Sequence, residues 1–495
     1  MRKLLSLLLV LTVPILCFFS ASAESQGPET HVCGEYEYII LEDGTAEIAR
    51  YTGEAVELVI PAELDGLTVS SIGKGAFFFG RSSPSPLMAV TIPDSVTAIG
   101  EGAFYQCTSL TSVSIPDSVS VIGNAAFSTC ESLTSVTIPD GVTVIGAATF
   151  NYCSSLTSVT IPDSVVSIGN RAFLGCTSLA SITIPDRVTA IGENAFTGCV
   201  SLTSFVIPES VTAIGRLAFG QCISLSSVTI PDSVTEMGDN PFAICTSLTA
   251  IDVSPGHPCL EVIDGVLFSR EDGRLICYPC AFTEETYAIP DGTRSVGNAA
   301  FAYCQSLTAV TIPDSVAAIG NDAFYNCSAL TDIALPESVT VIGERAFGEC
   351  SSLRSVTMTD HVDSIGKGAF YLCYSLKGIT LPVNLPMIDE QVFRGCASLG
   401  NIAIPENVTA IGDYAFSDCS SITSVEIPES VVSIGAEAFS YCSSLRSVTI
   451  PDSVVSIGDR AFEMCKYLTI SVPADSYAEE YCRKHYYTYT CPDTP

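Results

Sequence analysis

Residues 110–130 read Leu110-Thr111-Ser112-Val113-Ser114-Ile115-Pro116-Asp117-Ser118-Val119-Ser120-Val121-Ile122-Gly123-Asn124-Ala125-Ala126-Phe127-Ser128-Thr129-Cys130. Val113 and Ile115 alternate with Ser112 and Ser114, the period of a strand with one buried face. Pro116 cannot donate to a ladder and ends the strand, and Pro116-Asp117-Ser118 has turn chemistry. Val119 and Ile122 form the next inward pair, a second short strand or extended segment. Gly123 is expected to supply a backbone conformation that other residues resist. Asn124 is expected to cap a short helical or 3₁₀ turn that carries Ala126, Phe127 and Cys130 inward.

The phrase returns every 23 residues. Strict copies start at Ile92, Ile115, Ile138, Ile161, Ile184, Ile207 and Ile230, then resume at Ile289, Ile312, Leu335, Met358, Leu381, Ile404, Ile427 and Ile450; a looser copy starts at Ile60. A fixed period of this length marks a solenoid, in which each repeat packs only on its neighbours. The fold class is therefore an α/β solenoid of stacked coils, with a parallel β-sheet, short strands and short helical or 3₁₀ turns. Fifteen or so coils at about 4.8 Å each give a rod on the order of 70–80 Å long. A phenylalanine recurs once per coil, including Phe77, Phe104, Phe150, Phe219, Phe301, Phe347, Phe439 and Phe462, and predicts an aromatic spine.

Fifteen of the 22 cysteines fall at one repeat position: Cys107, Cys130, Cys153, Cys176, Cys199, Cys222, Cys245, Cys304, Cys327, Cys350, Cys373, Cys396, Cys419, Cys442 and Cys465. Stacked at coil spacing, these side chains do not readily reach the Cβ separation of a disulfide, and they read as buried thiols. Bridges are expected instead outside the column, Cys259 with Cys280 and Cys482 with Cys491.

Residues 1–23 read as a signal peptide: Arg2 and Lys3, an apolar run Leu4 to Phe19, and Ala21-Ser22-Ala23, with cleavage near Ala23. A cap spans 24–59, with a hairpin turn at Glu42-Asp43-Gly44-Thr45. Repeats fill 60–252 and 289–471. The intervening 253–288 carries two apolar runs flanking Glu271-Asp272-Gly273 and is expected to project a β-hairpin without breaking the rod. A C-terminal cap and tail span 472–495. No later stretch is apolar and long enough to span a bilayer.

The net charge is −33, and losing Arg2 and Lys3 leaves −35. Such a surface repels nucleic acid and anionic membranes, so partners should be neutral, basic or held through divalent cations.

The set Leu-x-x-Val-x-Ile-Pro-x-x-Val-x-x-Ile-Gly-x-x-Ala-Phe-x-x-Cys resembles the BspA-like leucine-rich repeats of bacterial surface proteins, across nearly all of 36–482. Asp43-Gly44-Thr45, Asp264-Gly265-Val266-Leu267-Phe268 and Val472-Pro473 to Tyr481 share that likeness. The resemblance implies a leucine-rich-repeat horseshoe or gently curved solenoid, an exported protein, and relatives described as adhesins for host matrix proteins or other cells.

Little in the sequence points to catalysis. His31, His257, His361 and His485 match no metal or triad spacing and read as incidental surface residues. Cys277-Tyr278-Pro279-Cys280 lies at a strand end rather than opening a helix, unlike a redox site. No cofactor is expected. The acidic column Asp94, Asp117, Asp140, Asp163, Asp186, Glu209, Asp232, Asp291, Asp314, Glu337, Asp360, Glu406, Glu429 and Asp452 could condense Ca²⁺ or Mg²⁺ weakly, or could be a row of solvated turn residues.

The exposed strand positions divide the chain. They are monotonous in the N-terminal half (Ser135/Thr137, Ser158/Thr160, Ser181/Thr183, Ser227/Thr229) and varied in the C-terminal half, at Asp332, Arg354, Lys377, Asn401, Glu426 and Arg446. The varied array is the candidate ligand-binding face, since recognition needs distinct groups. Tyr105, Tyr152, Tyr303, Tyr325, Tyr371 and Tyr441 could stack on a ligand or pack on the neighbouring coil. The expected function is non-catalytic binding of a protein or glycan, as on extracellular matrix or another cell; the alternative is an envelope or matrix spacer without a specific ligand.

Overall fold

The structure is a computed structural model describing residues 29–80 and 85–491. The signal sequence and its cleavage site lie outside the described residues. Most coils contribute a strand of about three residues and another of about two, each pairing in parallel with its copy in the next coil, but 180–184, 202–207 and 400–405, Ser181 and Thr183 among them, form no strand and interrupt the first ladder. Ser135–Thr137 pairs with Ser158–Thr160 through Val136↔Val159, and Val144–Ile145 pairs with Ser167–Ile168. Val136 points inward and is buried, while Ser135 and Thr137 are exposed, as period-2 alternation requires.

The third side of each coil is built from β-turns, not from a helical or 3₁₀ segment. Most coils place two residues in the left-handed region, often neither of them glycine, such as Ala125 (φ 55°) and Thr129 (φ 62°). A left-handed residue every fourth position stops a helix after one turn. The geometry is stabilised by where the backbone donors go. Ala125, Phe127 and Thr129 donate their N–H groups to Ala147, Thr149 and Asn151 of the next coil. The alternate donors Ala126, Ser128 and Cys130 close turns onto Gly123, Ala125 and Phe127. A helix would use all these groups within one coil and leave the coils unlinked on this side. The one α-helix among the described residues is Tyr477–His485 near the C-terminus. Asn124 does not cap a helix either; its Oδ1 accepts the N–H of Ala147 in the next coil at 2.8 Å.

Gly123 is needed for room rather than for an unusual φ. A Cβ there would lie 2.5 Å from the backbone N of Glu101 and 2.6 Å from the carbonyl carbon of Gly100. Gly100, Gly169 and Gly215 face the same obstruction, so backbone meets backbone along this column. Gly123→Ala should therefore lower stability by about 1–3 kcal/mol in denaturant unfolding. Gly378→Ala, where a Cβ meets nothing within 4 Å, should change it far less.

The spine phenylalanines stack nearly parallel. Centroids run from 4.7 Å (Phe77–Phe104) to 5.7 Å (Phe127–Phe150) in the first half, and from 4.8 Å (Phe301–Phe324) to 5.6 Å (Phe439–Phe462) in the second. The column cysteines are free and buried beside this stack. Each column thiol donates to the carbonyl of the spine residue one coil back, as Cys130 Sγ does to Phe104 at 3.2 Å and Cys350 Sγ to Phe324 at 3.1 Å.

The insertion does not project from the rod. Leu260–Ile263, Val266–Ser269 and Arg274–Cys277 form an antiparallel meander, and its last strand pairs in parallel with Ser295–Val296 to restart one ladder. The ladders of the first half stop at Glu236–Met237 and Ala250–Val253. The core is correspondingly split in two. Leu260, Leu267 and Ile276 pack with the first half, whereas Val266, Phe268, Leu275 and Tyr278 pack with the second. The continuous apolar run Val266-Leu267-Phe268 is thus buried on both faces, as in an interior strand. Asp239 bridges the two halves, accepting from Arg274 Nη1 at 2.5 Å and Asn298 Nδ2 at 2.8 Å.

His257 is not a surface residue. It is 2% exposed where the chain enters the meander. Its Nε2 donates to Pro231 O at 3.1 Å, and its Nδ1 accepts from Cys259 N and Leu260 N. Cys259 and Cys280 do not pair, because Cys259 packs with the first core and Cys280 with the second; Cys280 Sγ donates instead to Ala302 O at 3.1 Å. Cys482, on the buried face of the Tyr477–His485 helix, and Cys491, exposed, are also separate thiols.

At the N-terminal end, Thr30–Cys33, Tyr36–Ile40 and Ala46–Tyr51 form an antiparallel sheet, and its last strand joins the parallel ladder at Leu67–Ile72. At the other end Ser476 caps the helix, which buries Ala478, Tyr481 and Cys482, and Thr488–Thr490 closes the ladder on Thr469–Ser471.

Candidate binding face

Backbone register divides the six candidate residues into three columns. Arg354 and Lys377 are consecutive in one column, with Lys377 N donating to Arg354 O at 3.1 Å. Arg446 stands three coils beyond Lys377 in that column, after Gly400 and Thr423. Asp332 lies in the second column, Ala309↔Asp332↔Ser355↔Gly378, and Asn401 follows at the next repeat position. Glu426 belongs to the third, pairing with Thr449. All six are exposed.

The face therefore holds two groups. In the first, Asp332 Oδ1 accepts from Ser355 Oγ at 2.5 Å. That bond, a contribution from Thr331 and the nearby Arg354 charge hold the Asp332 carboxyl below its ordinary range. Arg354 and Lys377 complete an exposed patch of mixed charge. The second group lies around Asn401 and Glu426. Asn401 Oδ1 accepts from Thr423 N and Ser424 N, and its Nδ2 donates to Ser424 Oγ. These side-chain bonds link the coils where residues 400–405 form no strand. Arg446 stands apart, its guanidinium 5.6 Å from the ring centre of Tyr467.

Asn401 and Glu426 border a groove of about 1100 Å³ that crosses four coils, between Asn401 and Ala474. Ile427, Pro428, Ile450, Pro451, Val472 and Pro473 give it an apolar lining, and Glu406, Glu426, Glu429 and Asp452 its charge. No basic residue lines it. The groove depends on several coils and has no signature in any single repeat. The one available sequence signal is Glu426, a carboxylate where neighbouring repeats carry Thr380, Ala403 and Thr449.

The acidic column is exposed throughout. It sits in turns closed by bonds such as Val119 N to Pro116 O, and the following serine ties coils together, as Ser118 Oγ does to Val96 O at 2.7 Å. Among the described residues, no three His, Cys, Asp or Glu side chains gather so as to hold a metal ion. The tyrosines mostly pack between coils. Tyr325 donates to Glu349 and lies under Arg345, and Arg394 lies between Tyr371 and Tyr414; Tyr152 and Tyr441 are exposed. No helix among the described residues is long and apolar enough to cross a membrane.

A family model described as a BspA type leucine rich repeat region matches residues 70–199, 166–272, 273–386 and 363–484. Among solved structures, a leucine rich cell surface protein of Faecalibacterium prausnitzii is 30% identical, with 92% of this chain and 98% of that one covered and a TM-score of 0.46. A leucine-rich repeat protein of Eubacterium ventriosum is 21% identical, covering 83% and 93%, at a TM-score of 0.47. A pneumococcal vaccine antigen is 18% identical, covering 94% and 99%, at 0.42. No curated protein matches the chain.

Proposed function

The chain belongs to the BspA-type leucine-rich repeat family, and from that premise we propose that it is a non-catalytic binding protein, exported to the cell surface or medium, that adheres to a protein or glycan partner. Export is supported by the charged, apolar and small-residue segments of positions 1–23. Binding is supported above all by one observation: exposed strand positions that carry hydroxyls in the first half carry Asp332, Arg354 and Lys377 side by side in the second. On a rod with 21 basic residues against 54 acidic, two cations in adjacent coils beside a carboxylate form a distinctive charge pattern. The uniform grid of Ser135/Thr137 and Ser158/Thr160 favours a second reading for the N-terminal half, a spacer that holds the binding half away from its anchorage.

The test is a binding screen of the mature chain against matrix proteins and glycans, with and without calcium. A saturable ligand is expected. The triple change Arg354→Ser, Lys377→Ser, Arg446→Ser should weaken it by on the order of 1 kcal/mol per side chain, mainly through association rate and salt dependence. Ser158→Ala with Thr160→Ala should leave it unchanged. Equal binding by the triple variant and the parent would remove the recognition role from this face.

A further inference from the structure

We infer that the groove between Asn401 and Ala474 takes an extended, lysine- or arginine-bearing segment of a partner protein. This deepens the binding reading by naming a ligand chemistry, and it rests on that reading. Its four carboxylates, Glu406, Glu426, Glu429 and Asp452, are exposed, and none has an ion-pair or hydrogen-bond partner among the described residues. Other coils set cations beside some of their carboxylates: Glu193 pairs with Arg216, Asp322 with Arg345 and Glu390 with Lys367, each across adjacent coils. In the groove the protein supplies no cation, so four clustered carboxylates stand open to one from outside.

The acidic turn column alone does not single out this place, because it runs the length of the rod. Two features do. Glu426 adds a carboxylate in the strand column, so charge flanks both sides of the Ile427-Pro428 corner. Between the charges, the exposed Ala403, Thr449 and Ala474 and the half-buried Pro473, seated on the buried Ile450 and Val472, offer methyl and ring surface to aliphatic stems. Lysine and arginine have this composition, an apolar stem ending in a cation. Glu406 and Asp452 are two coils apart, about 10 Å, which three residues of extended chain cover. Basic residues three apart in an extended segment therefore match the column. Phosphate, nucleic acid and acidic glycans are disfavoured by the same charges.

The probe is a fluorescent peptide of repeated Lys-Thr-Pro triplets, titrated by anisotropy into the mature chain, with Glu-Thr-Pro triplets as control. The lysine peptide should bind and the glutamate peptide should not. Glu426→Gln with Glu429→Gln should weaken binding roughly tenfold, about 1.4 kcal/mol. Asp314→Asn with Glu337→Gln, in the same turn column outside the groove, should change it less than twofold. Equal losses in both double variants, or no loss in either, would overturn the groove assignment. A matrix or glycan ligand from the screen that binds the groove variant normally, together with failed peptide binding, would sink this inference and leave the binding reading standing. Groove-specific peptide binding with an empty screen would do the reverse to the choice of matrix ligand.

Discussion

Phe219→Ala should cost about 3–5 kcal/mol. Phe219 is fully buried, stacked on Phe196 at 5.5 Å and Phe242 at 5.6 Å, with the edge of Phe205 at 4.5 Å. Truncation removes one ring from three aromatic contacts, and the two stacked neighbours cannot close the gap. Each neighbour is fixed by its own backbone bonds, Phe196 N donating to Ala218 O of the next coil and Phe242 N to Asn240 Oδ1. A solenoid gains stability from nearest-neighbour interfaces, so the loss falls on two interfaces at once and should spread through the first half. The second core, beyond the meander, should be affected less. Hydrogen exchange read coil by coil would check both the size and the reach of the effect. An unchanged melting transition would contradict this account of the spine.

Raising the pH should unfold the rod abruptly near pH 10. Burial pushes the column thiols up, to about 12 for Cys107, Cys153 and Cys350. An unfolded thiol titrates at about 8.5. The sign follows from the folded value being raised. The folded chain keeps protons that the unfolded chain releases, so stability is intact below about pH 8.5 and falls as the pH climbs toward 12. Each such thiol costs up to about 1.4 kcal/mol per pH unit across that window. The first half holds seven, from Cys107 to Cys245, so a unit of that size loses up to about 10 kcal/mol per pH unit. Cys465, in the last column position, runs the other way, lowered by its hydrogen bond with Cys442. Circular dichroism against pH should show a transition much steeper than one ionisation. Replacing Cys153 and Cys176 by alanine should shallow the slope even though it also lowers stability. A single-proton slope would refute this view of the column.

The repeat made the ladders, the spine and the thiol column legible, because each depends on one side-chain type recurring at a fixed position. The turns were not legible. Ala125 and Thr129 are ordinary residues in a left-handed conformation, held there by carbonyls of the next coil, and residue type carries no trace of that. Gly123 was recognisable as special, but its reason, the backbone of Gly100 and Glu101 pressed against it, exists only once coils are stacked. The meander hid for a related cause. Glu271-Asp272-Gly273 advertises a hairpin equally well whether it stands in solvent or lies within the core. The better clue was the unbroken run Val266-Leu267-Phe268, since a hairpin exposed on one face would alternate. Of the candidate face, residue variety located the columns, while the groove needed four coils placed side by side.

The thiol column also has a consequence for how this chain must mature. Fifteen cysteines that are unreactive once packed are, before folding, evenly spaced reactive groups on a flexible polymer. For a chain exported as proposed, oxidants meet that polymer outside the cytosol, and any cross-link formed early would join coils that the fold requires to keep their thiols free. Folding and oxidation are therefore in a race, and assembly of each coil onto the last withdraws one more thiol from it. A coil that opens later re-enters the race, so slow unfolding protects this molecule more directly than a large equilibrium stability does.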